Sequence, residues 1–274
     1  MSQTRLTVIT PKGLSLRAYL QDIRDYYQLL WAFTYRNLRS RYAQTAIGIA
    51  WSVINPLLTL IILGFVFGKI AKMDTLGYDP FLFTVVGLSA WTYFSTVVTW
   101  AGQSVVNAQS MIQKIYFPRI LLPISVSIAG LLDLLITLII LLTVFLFHQQ
   151  LPSANITYFP LFLIMAVLLG SISGIWVSAL GIRYRDFHHL IPFILRIGLY
   201  ASPVAYALES VDPGYWIFFL INPITGVLEG FRWCFFGGAF PITAVTISLV
   251  WIALLMVGGL FYFNHSEKTM ADII

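Results

Sequence analysis

Charged residues are scarce in this sequence, and acidic ones are the scarcer kind. Asp, Glu, Lys and Arg make up 10% of the chain, whereas hydrophobic residues make up 59%. Soluble globular domains carry about 25% charged residues, so this composition argues against a soluble protein. Runs of about 20 apolar residues, which can cross a bilayer, recur along the chain instead. We therefore predict a single polytopic membrane domain of the all-α class.

Residues that carry enzyme chemistry do not occur here in the patterns that such chemistry needs. The single cysteine, Cys234, excludes an internal disulfide framework, and His188-His189 has no further metal ligands nearby. The segment GFVFGKI (64–70) is one residue too short for a phosphate-binding loop and has Ile70 where Ser or Thr is required. We therefore expect no catalytic site, no metal and no cofactor in this chain.

Six apolar runs are long enough to be membrane spans. We place them at 47–68, 81–104, 120–147, 159–182, 187–206 and 242–263. Before them, residues 16–35 show apolar residues at helical spacing, with polar residues on the other side. This pattern predicts an amphipathic helix that lies in the membrane interface. A helix packed on a partner protein is the alternative.

Basic residues indicate the orientation of the spans. Lys and Arg concentrate in the N-terminal segment and in the loops after the second and fourth predicted spans. Because positively charged segments stay in the cytoplasm, both termini should be cytoplasmic, which agrees with an even number of spans. The net charge of +5 therefore needs no nucleic-acid partner. The predicted organisation is a cytoplasmic segment at 1–46, a membrane domain at 47–264 and a cytoplasmic tail at 265–274.

Residues 208–240 hold two apolar pieces that are each too short to cross a membrane. Asn222 and Pro223 separate them, and Asn-Pro favours a turn. The segment is either an outer loop with two surface helices or a re-entrant pair that dips in from the outer side. We favour the re-entrant pair, because its many Trp and Phe residues would otherwise face water. Glu229 and Arg232 lie three residues apart on one helical face, where they can pair.

Two charged residues lie inside predicted spans, Asp133 in the third and Arg196 in the fifth. A charge at the bilayer centre costs about 2.5–3.5 kcal/mol on insertion scales, so each should face the interior of the bundle. Their depths differ by roughly 6 Å, a gap that an arginine side chain can cover. Either the two form a pair, or Asp133 faces a water-filled path and Arg196 reaches toward cytoplasmic headgroups.

Five stretches stand out in order along the chain. They are RNLRSRYAQTAIGIAWSVINPLL (36–58), FLFTVVGLSAWTYFS (81–95), NAQSMIQKIYFPRILLP (107–123), ALGIRYRDFHHLIPFIL (179–195), and YASPVAYALESV with INPITGVLEGFRW (200–233). Together they resemble the ABC-2 type permeases that export polysaccharides such as O-antigen, capsule or teichoic acid. The resemblance covers nearly the whole chain and implies a multi-pass permease subunit in the bacterial cytoplasmic (inner) membrane, which exports a lipid-linked polysaccharide.

The resemblance also implies an architecture and a set of partners. The expected fold is a six-helix half-transporter with an interface helix and, before the last span, two short gate helices that match 208–240. Two permeases pair with two separate ATPase subunits, which hold the ATP and magnesium. Because six helices rarely enclose a lumen wide enough for a polymer, a two-fold homodimer is also favoured on physical grounds. Membrane lipid and the lipid-linked polysaccharide complete the expected partners.

By the same resemblance, residues 107–117 form a coupling helix that docks in a groove of the ATPase, and RYRDF (183–187) makes a second contact. A plain turn helix on the membrane surface is the alternative. The residues assigned to this coupling are Met111, Ile112, Lys114, Ile115, Phe117, Arg119, Arg183, Arg185 and Asp186.

Aromatic residues are candidates for the path of a polysaccharide, because flat apolar sugar faces stack on aromatic rings. The candidates are Trp51, Trp91, Tyr93, Trp100, Tyr200, Tyr206, Tyr215 and Trp216. Trp and Tyr also form the interfacial belts of membrane proteins, so we expect about half of the candidates to belong to a belt or to the core.

Three other functions stay open on the sequence alone. A permease for a drug or a lipid belongs to the same class. An integral membrane enzyme that acts on lipid-linked sugars would need clustered carboxylates, and the 11 Asp and Glu residues do not cluster in that way. A scaffold without a transport role is the third, and Asp133 inside a predicted span argues against it.

Overall fold

The computed structural model describes residues 21, 24–42, 50–71, 74–184 and 186–267. Within these residues every regular element is a helix, which confirms the predicted all-α class. Parts of four predictions lie outside the described residues: the first part of the amphipathic helix at 16–35, residues 47–49 of the first span, the contact residue Arg185, and the tail from residue 268 onward.

The described helices follow one another along the chain with short connections. They are α1 (Tyr27–Tyr42), α2 (Ala50–Phe65, continued by the π-helical turn Val66–Ile70), α3 (Pro80–Ser104), α4 (Gln109–Ile112), α5 (Leu121–Phe147), α6 (Phe159–Arg183), α7 (Phe187–Ala201), α8 (Trp216–Leu220), α9 (Thr225–Phe236) and α10 (Ile242–Glu267).

Proline and its neighbours set two important helix ends. Asp79 caps α3 by accepting hydrogen bonds from its first backbone N–H groups, and Pro80 stands at the start of that helix. α7 ends at Ala201 because the next residue, Ser202, precedes Pro203 and has an extended backbone. The fifth predicted span, 187–206, is therefore helical only as far as Ala201.

Four described segments are long and apolar enough to cross a membrane. These are α3, α5, α10 and residues 154–183, in which a short 3-10 turn leads into α6. α2 and α7 are shorter apolar helices. α7 has 15 residues, which corresponds to about 22 Å, less than the hydrocarbon core of about 30 Å. The structure is thus that of a multi-helix membrane protein, and the exact number of crossings stays a prediction.

α3 lies at the centre of the bundle. It packs along α6 and α5 and also contacts α2, α7 and α9. Its largely buried side chains form the main hydrophobic core together with residues of those helices. A second, smaller core joins α1, the residues between α3 and α5, and the ends of α6 and α10. We call this side of the bundle the α4 end, and the opposite side, where α8 lies, the hairpin end.

α1 packs on the start of α5 and leaves one face open. The Phe33 ring contacts Phe117 with ring centroids 5.3 Å apart, and the Asn37 amide donates a hydrogen bond to the Ser125 hydroxyl at 2.9 Å. On the other side of α1, large aromatic side chains such as Trp31 are exposed. This arrangement fits a helix with one face on the bundle and one face in the membrane interface.

Candidate functional site

The segment between α3 and α5 is only partly helical. A 3-10 turn at Val106–Ala108 and the single turn of α4 are followed by irregular chain up to the start of α5. The predicted helix over 107–117 is therefore interrupted. Ile112 is 8% exposed and Phe117 is 2% exposed, and both belong to the smaller core. The assignment of these two side chains to an ATPase groove is accordingly revised, because they are used inside the chain itself.

The exposed side chains of this segment are those that follow α4. Ile115 and Tyr116 are each 51% exposed, and Lys114 is exposed beside them. Met111 is partly buried, with its sulfur 3.7 Å from the Arg36 guanidinium. The tip that can meet a partner is therefore residues 113–116, which combines two large apolar side chains with one basic side chain.

Arg119 is held by the end of α10. Its backbone N–H donates a hydrogen bond to Glu267 Oε1 at 2.7 Å, and its guanidinium donates to the Glu267 backbone carbonyl at 2.8 Å. The family resemblance assigned Arg119, as a basic residue next to the coupling helix, to the contact with the ATPase. In the structure its hydrogen bonds instead join the start of α5 to the last turn of α10.

The second predicted contact region is exposed where it is described. Arg183 and Asp186 flank the break between α6 and α7, and both side chains are exposed. The Arg183 guanidinium lies 5.6 Å from the centre of the Tyr184 ring. These residues are accessible to a partner.

Three sequence-predicted residues, Trp91, Trp100 and Arg196, come together in one groove between α3 and α7. The groove has a volume of about 290 Å³. Trp91 is buried at its base, whereas Trp100 and Arg196 are exposed. The other lining residues are hydroxyl-bearing on α3 and apolar on α7: Ser95, Thr96, Thr99, Pro192, Leu195 and Leu199. Sequence reasoning missed the three hydroxyl residues, although their spacing on one face of an apolar helix is a usable signal.

Gly198 allows the close approach of α7 to α3 at this groove. A Cβ at Gly198 would lie 2.9 Å from Trp91 Cη2, which is closer than non-bonded carbon atoms pack. The Trp91 ring therefore lies against the backbone of α7. This contact fixes the base of the groove.

The remaining aromatic candidates have different surroundings. Tyr93 is buried and faces α5 and α6 near Gly130 and Gly170, so it is a core residue rather than part of a path. Trp51 is exposed on α2. A separate group lies toward the hairpin end, where Tyr200, Tyr206, Tyr215 and Trp216 occur. In this group the Tyr206 hydroxyl donates to the Tyr200 carbonyl at 3.2 Å, and Trp216 Nε1 donates to the Val211 carbonyl at 2.8 Å.

Asp133 and Arg196 do not pair with each other within the described residues. Asp133 is half-buried on α5, and Arg196 is exposed in the groove between α3 and α7. Of the two arrangements left open by the sequence, the direct pair is therefore not formed here.

The segment after α7 forms two short helices around Asn222 and Pro223; we call residues 213–236 the hairpin. The Asn222 amide donates a hydrogen bond to the Ser202 hydroxyl at 2.8 Å, and Thr225 donates to the Phe219 carbonyl at 2.6 Å. α8 has no buried residue, whereas α9 is buried against α3, α6 and α10. Only the second of the two helices is thus part of the core.

A buried ion pair fixes α9 in place. Arg232 Nη1 and Glu229 Oε1 are 2.8 Å apart, as their spacing in the sequence allows. Arg232 Nη2 also donates a hydrogen bond to the Val204 carbonyl at 2.8 Å, and the guanidinium lies 3.9 Å from the centre of the Phe83 ring. One arginine therefore joins α9 to α3 and to the chain that follows α7. The contacts to Val204 and Phe83 were not foreseen from the sequence.

Comparison with known proteins decides the family. A family model described as ABC-2 type transporter matches residues 28–236. This chain belongs to the ABC-2 type transporter family. The recognition made from the five sequence stretches is thereby confirmed, and the chain is a transport subunit rather than an enzyme.

Several relatives of this ABC-2 type protein are known by function. The O-antigen export system permease protein RfbA of Myxococcus xanthus is 24% identical over 243 residues, which cover 85% of this chain and 93% of that protein. RfbA of Klebsiella pneumoniae is 26% identical over 249 residues, covering 90% and 95%. The polysialic acid transport protein KpsM of Escherichia coli is 25% identical over 201 residues, covering 71% and 76%.

Proposed function

We propose that this chain is the membrane-spanning subunit of an ABC transporter that exports a lipid-linked polysaccharide across the bacterial cytoplasmic membrane. The observation that carries the proposal is the similarity to O-antigen export permeases along nearly the full length of both chains. The groove between α3 and α7 supports it, because it combines tryptophan rings with hydroxyl groups. These are the side chains that suit the apolar faces and the hydroxyls of sugars.

The proposed architecture has six crossings, with both termini in the cytoplasm. α2 and its π-helical turn together run over residues 50–70, or about 31 Å, which is enough for one crossing. α7 completes its crossing with the irregular residues 202–206. Such backbone is tolerated at membrane depth where protein covers it, and Ser202 and Val204 are both buried.

The proposed assembly is a homodimer with two ATP-binding subunits, which hold the ATP and magnesium. Within the described residues of one chain, α3 fills the centre of the bundle, and the groove of about 290 Å³ is too small for a polymer. α7 has no fully buried residue. A path for a polymer therefore fits better between two copies than inside one.

Three regions receive proposed roles in this assembly. The tip at 113–116, together with Arg183 and Asp186, contacts the ATPase at the cytoplasmic face. The hairpin dips into the outer leaflet and closes the exit. The domains remain as proposed from the sequence, with the membrane domain at 47–264 between two cytoplasmic segments.

Surface display of the polysaccharide tests this function. The chain and its ATPase are expressed in a polymer-producing strain whose own exporter genes are deleted, and surface polysaccharide is measured with a specific antibody. We expect display to be restored, and a partner ATPase with an inactive phosphate-binding loop to serve as the negative control. Polymer that stays inside the cell, with normal levels of both subunits, would contradict the proposal. Export of a drug or phospholipid by the same complex would support the alternative permease function.

A further inference from the structure

Arg196 is a charged residue in an unusual position. It lies nine residues after the start of α7, about 14 Å along the helix, and it lines the groove between α3 and α7. Within the described part of the chain it makes no ion pair and no hydrogen bond. An arginine at such a depth normally has a partner or marks a path for a ligand.

The electrostatics of the groove favour an anionic ligand. None of the nine residues that line it is acidic, and Arg196 is the one charged residue among them. Guanidinium groups bind phosphate oxygens through two parallel hydrogen bonds. The Thr96 hydroxyl, which makes no hydrogen bond to another described residue, adds a neutral donor on the opposite wall.

The shape and the aromatic lining favour a sugar next to that anion. Trp91 and Trp100 both line the groove from α3, one buried and one exposed, and the Ser and Thr hydroxyls lie between them along the helix. The volume of about 290 Å³ lies at the lower limit of small-molecule sites, which is about 300 Å³. This volume suits a phosphate with an attached sugar rather than a longer polymer.

We propose that this groove binds the phosphate–sugar junction of a lipid-linked saccharide. Arg196 and Thr96 hold the phosphate, Trp91 and Trp100 contact the sugar, and Pro192, Leu195 and Leu199 form an apolar wall beside the lipid chain. This inference rests on the proposed function and adds to it a defined subsite: the complex recognises the junction between lipid and sugar, whatever polymer follows.

Direct binding tests the proposal with the complete complex of permease and ATPase in nanodiscs. The probes are a short-chain polyprenyl diphosphate disaccharide and the same disaccharide on an uncharged alkyl chain. For the diphosphate probe, Arg196→Gln should raise the Kd about tenfold or more, because a charge-assisted pair of hydrogen bonds is lost. Arg196→Lys should retain part of the affinity, and the uncharged probe should bind wild type and variants alike. Arg39→Gln removes an exposed arginine on α1 and serves as the charge-matched control.

The outcomes separate this inference from the proposed function. Unchanged affinity of Arg196→Gln for the diphosphate probe, in a complex that still exports polysaccharide, would overturn the subsite and leave the function standing. Absence of probe binding to a wild-type complex that exports no polysaccharide would overturn both. Equal competition by phosphatidylglycerol would show that the groove takes ordinary phospholipid headgroups, which also overturns the subsite. If Arg196→Gln does not assemble, Thr96→Val is the second test, and it should weaken binding of the diphosphate probe only.

Discussion

Removal of Arg232 should destabilise the protein more than removal of any exposed charge. Glu229 is 8% exposed and Arg232 is 4% exposed, and their side chains are in direct contact. Arg232→Met leaves the Glu229 carboxylate buried without its partner and the Val204 carbonyl without the Nη2 donor. Loss of one partner of a buried ion pair costs about 3–5 kcal/mol. Arg232→Met also removes the hydrogen bond to the Val204 carbonyl and the contact with the Phe83 ring. Because the same guanidinium makes all of these contacts, their energies are not independent and are not added to the cost of about 3–5 kcal/mol.

Thermal unfolding of the purified complex measures this cost. A loss of about 3–5 kcal/mol corresponds to a fall in Tm of roughly 6–20 °C, at about 2–4 °C per kcal/mol. Arg39→Met, at an exposed position, is the control and should change stability by less than about 0.5 kcal/mol.

A double-mutant cycle checks that the buried charge is the cause. The double variant Glu229→Leu with Arg232→Met removes both charges, and replacement of a whole buried ion pair by apolar residues is often close to neutral. We therefore expect it to unfold at a higher temperature than Arg232→Met alone. If the double variant loses as much stability as the sum of the two single variants, the reasoning about an uncompensated charge is refuted.

Two further predictions concern the two ends of the molecule. The double variant Ile115→Asp with Tyr116→Asp should abolish co-purification of the ATPase while the permease keeps its Tm, because both side chains are exposed at the tip. The control is Leu151→Asp, at an exposed position in the loop between α5 and α6. Normal co-purification of the ATPase with the tip variant would refute the docking assignment. Tyr215, just before α8, and Ile217, within α8, are both exposed. A cysteine at either position should form a disulfide between the two copies in the resting dimer, and this cross-link should block export until it is reduced. Full labelling by a membrane-impermeant reagent in every state would instead indicate an ordinary outer loop.

Long apolar runs made the main helices predictable. The predicted spans at 81–104 and 120–147 begin within one residue of α3 and α5 and end where those helices end. The reason is physical, since an apolar run of that length can satisfy its backbone hydrogen bonds inside a membrane only as a helix. The helix of the fifth predicted span ends at Ala201, although the apolar composition continues past that residue. The backbone restriction imposed by Pro203 was visible in the sequence and outweighs composition there.

The direction that an apolar side chain faces was harder to predict. Ile112 and Phe117 lie in a short mixed segment, and such side chains can face either a partner or the chain's own core. The choice depends on Phe33, which contacts Phe117 from α1. No local pattern in 107–117 encodes a contact with a residue so far away along the chain. Their neighbours Ile115 and Tyr116 are also large and mostly apolar, yet they remain exposed.

The partners of charged side chains are also often distant in the sequence, as the hydrogen bonds of α10 show. At the α4 end, Glu267 accepts hydrogen bonds from Arg119. Toward the hairpin end, Ser248 of the same helix accepts one from the backbone of Gly226 in α9 at 2.9 Å. α10 has 26 residues, or about 39 Å of continuous helix. The segment that carries Ile115 and Tyr116 and the helix that carries Arg232 are therefore both hydrogen-bonded to the same continuous helix. A basic residue near a membrane surface looks available for a partner in the sequence, and only the fold shows that the hydrogen bonds of Arg119 go to the last turn of α10.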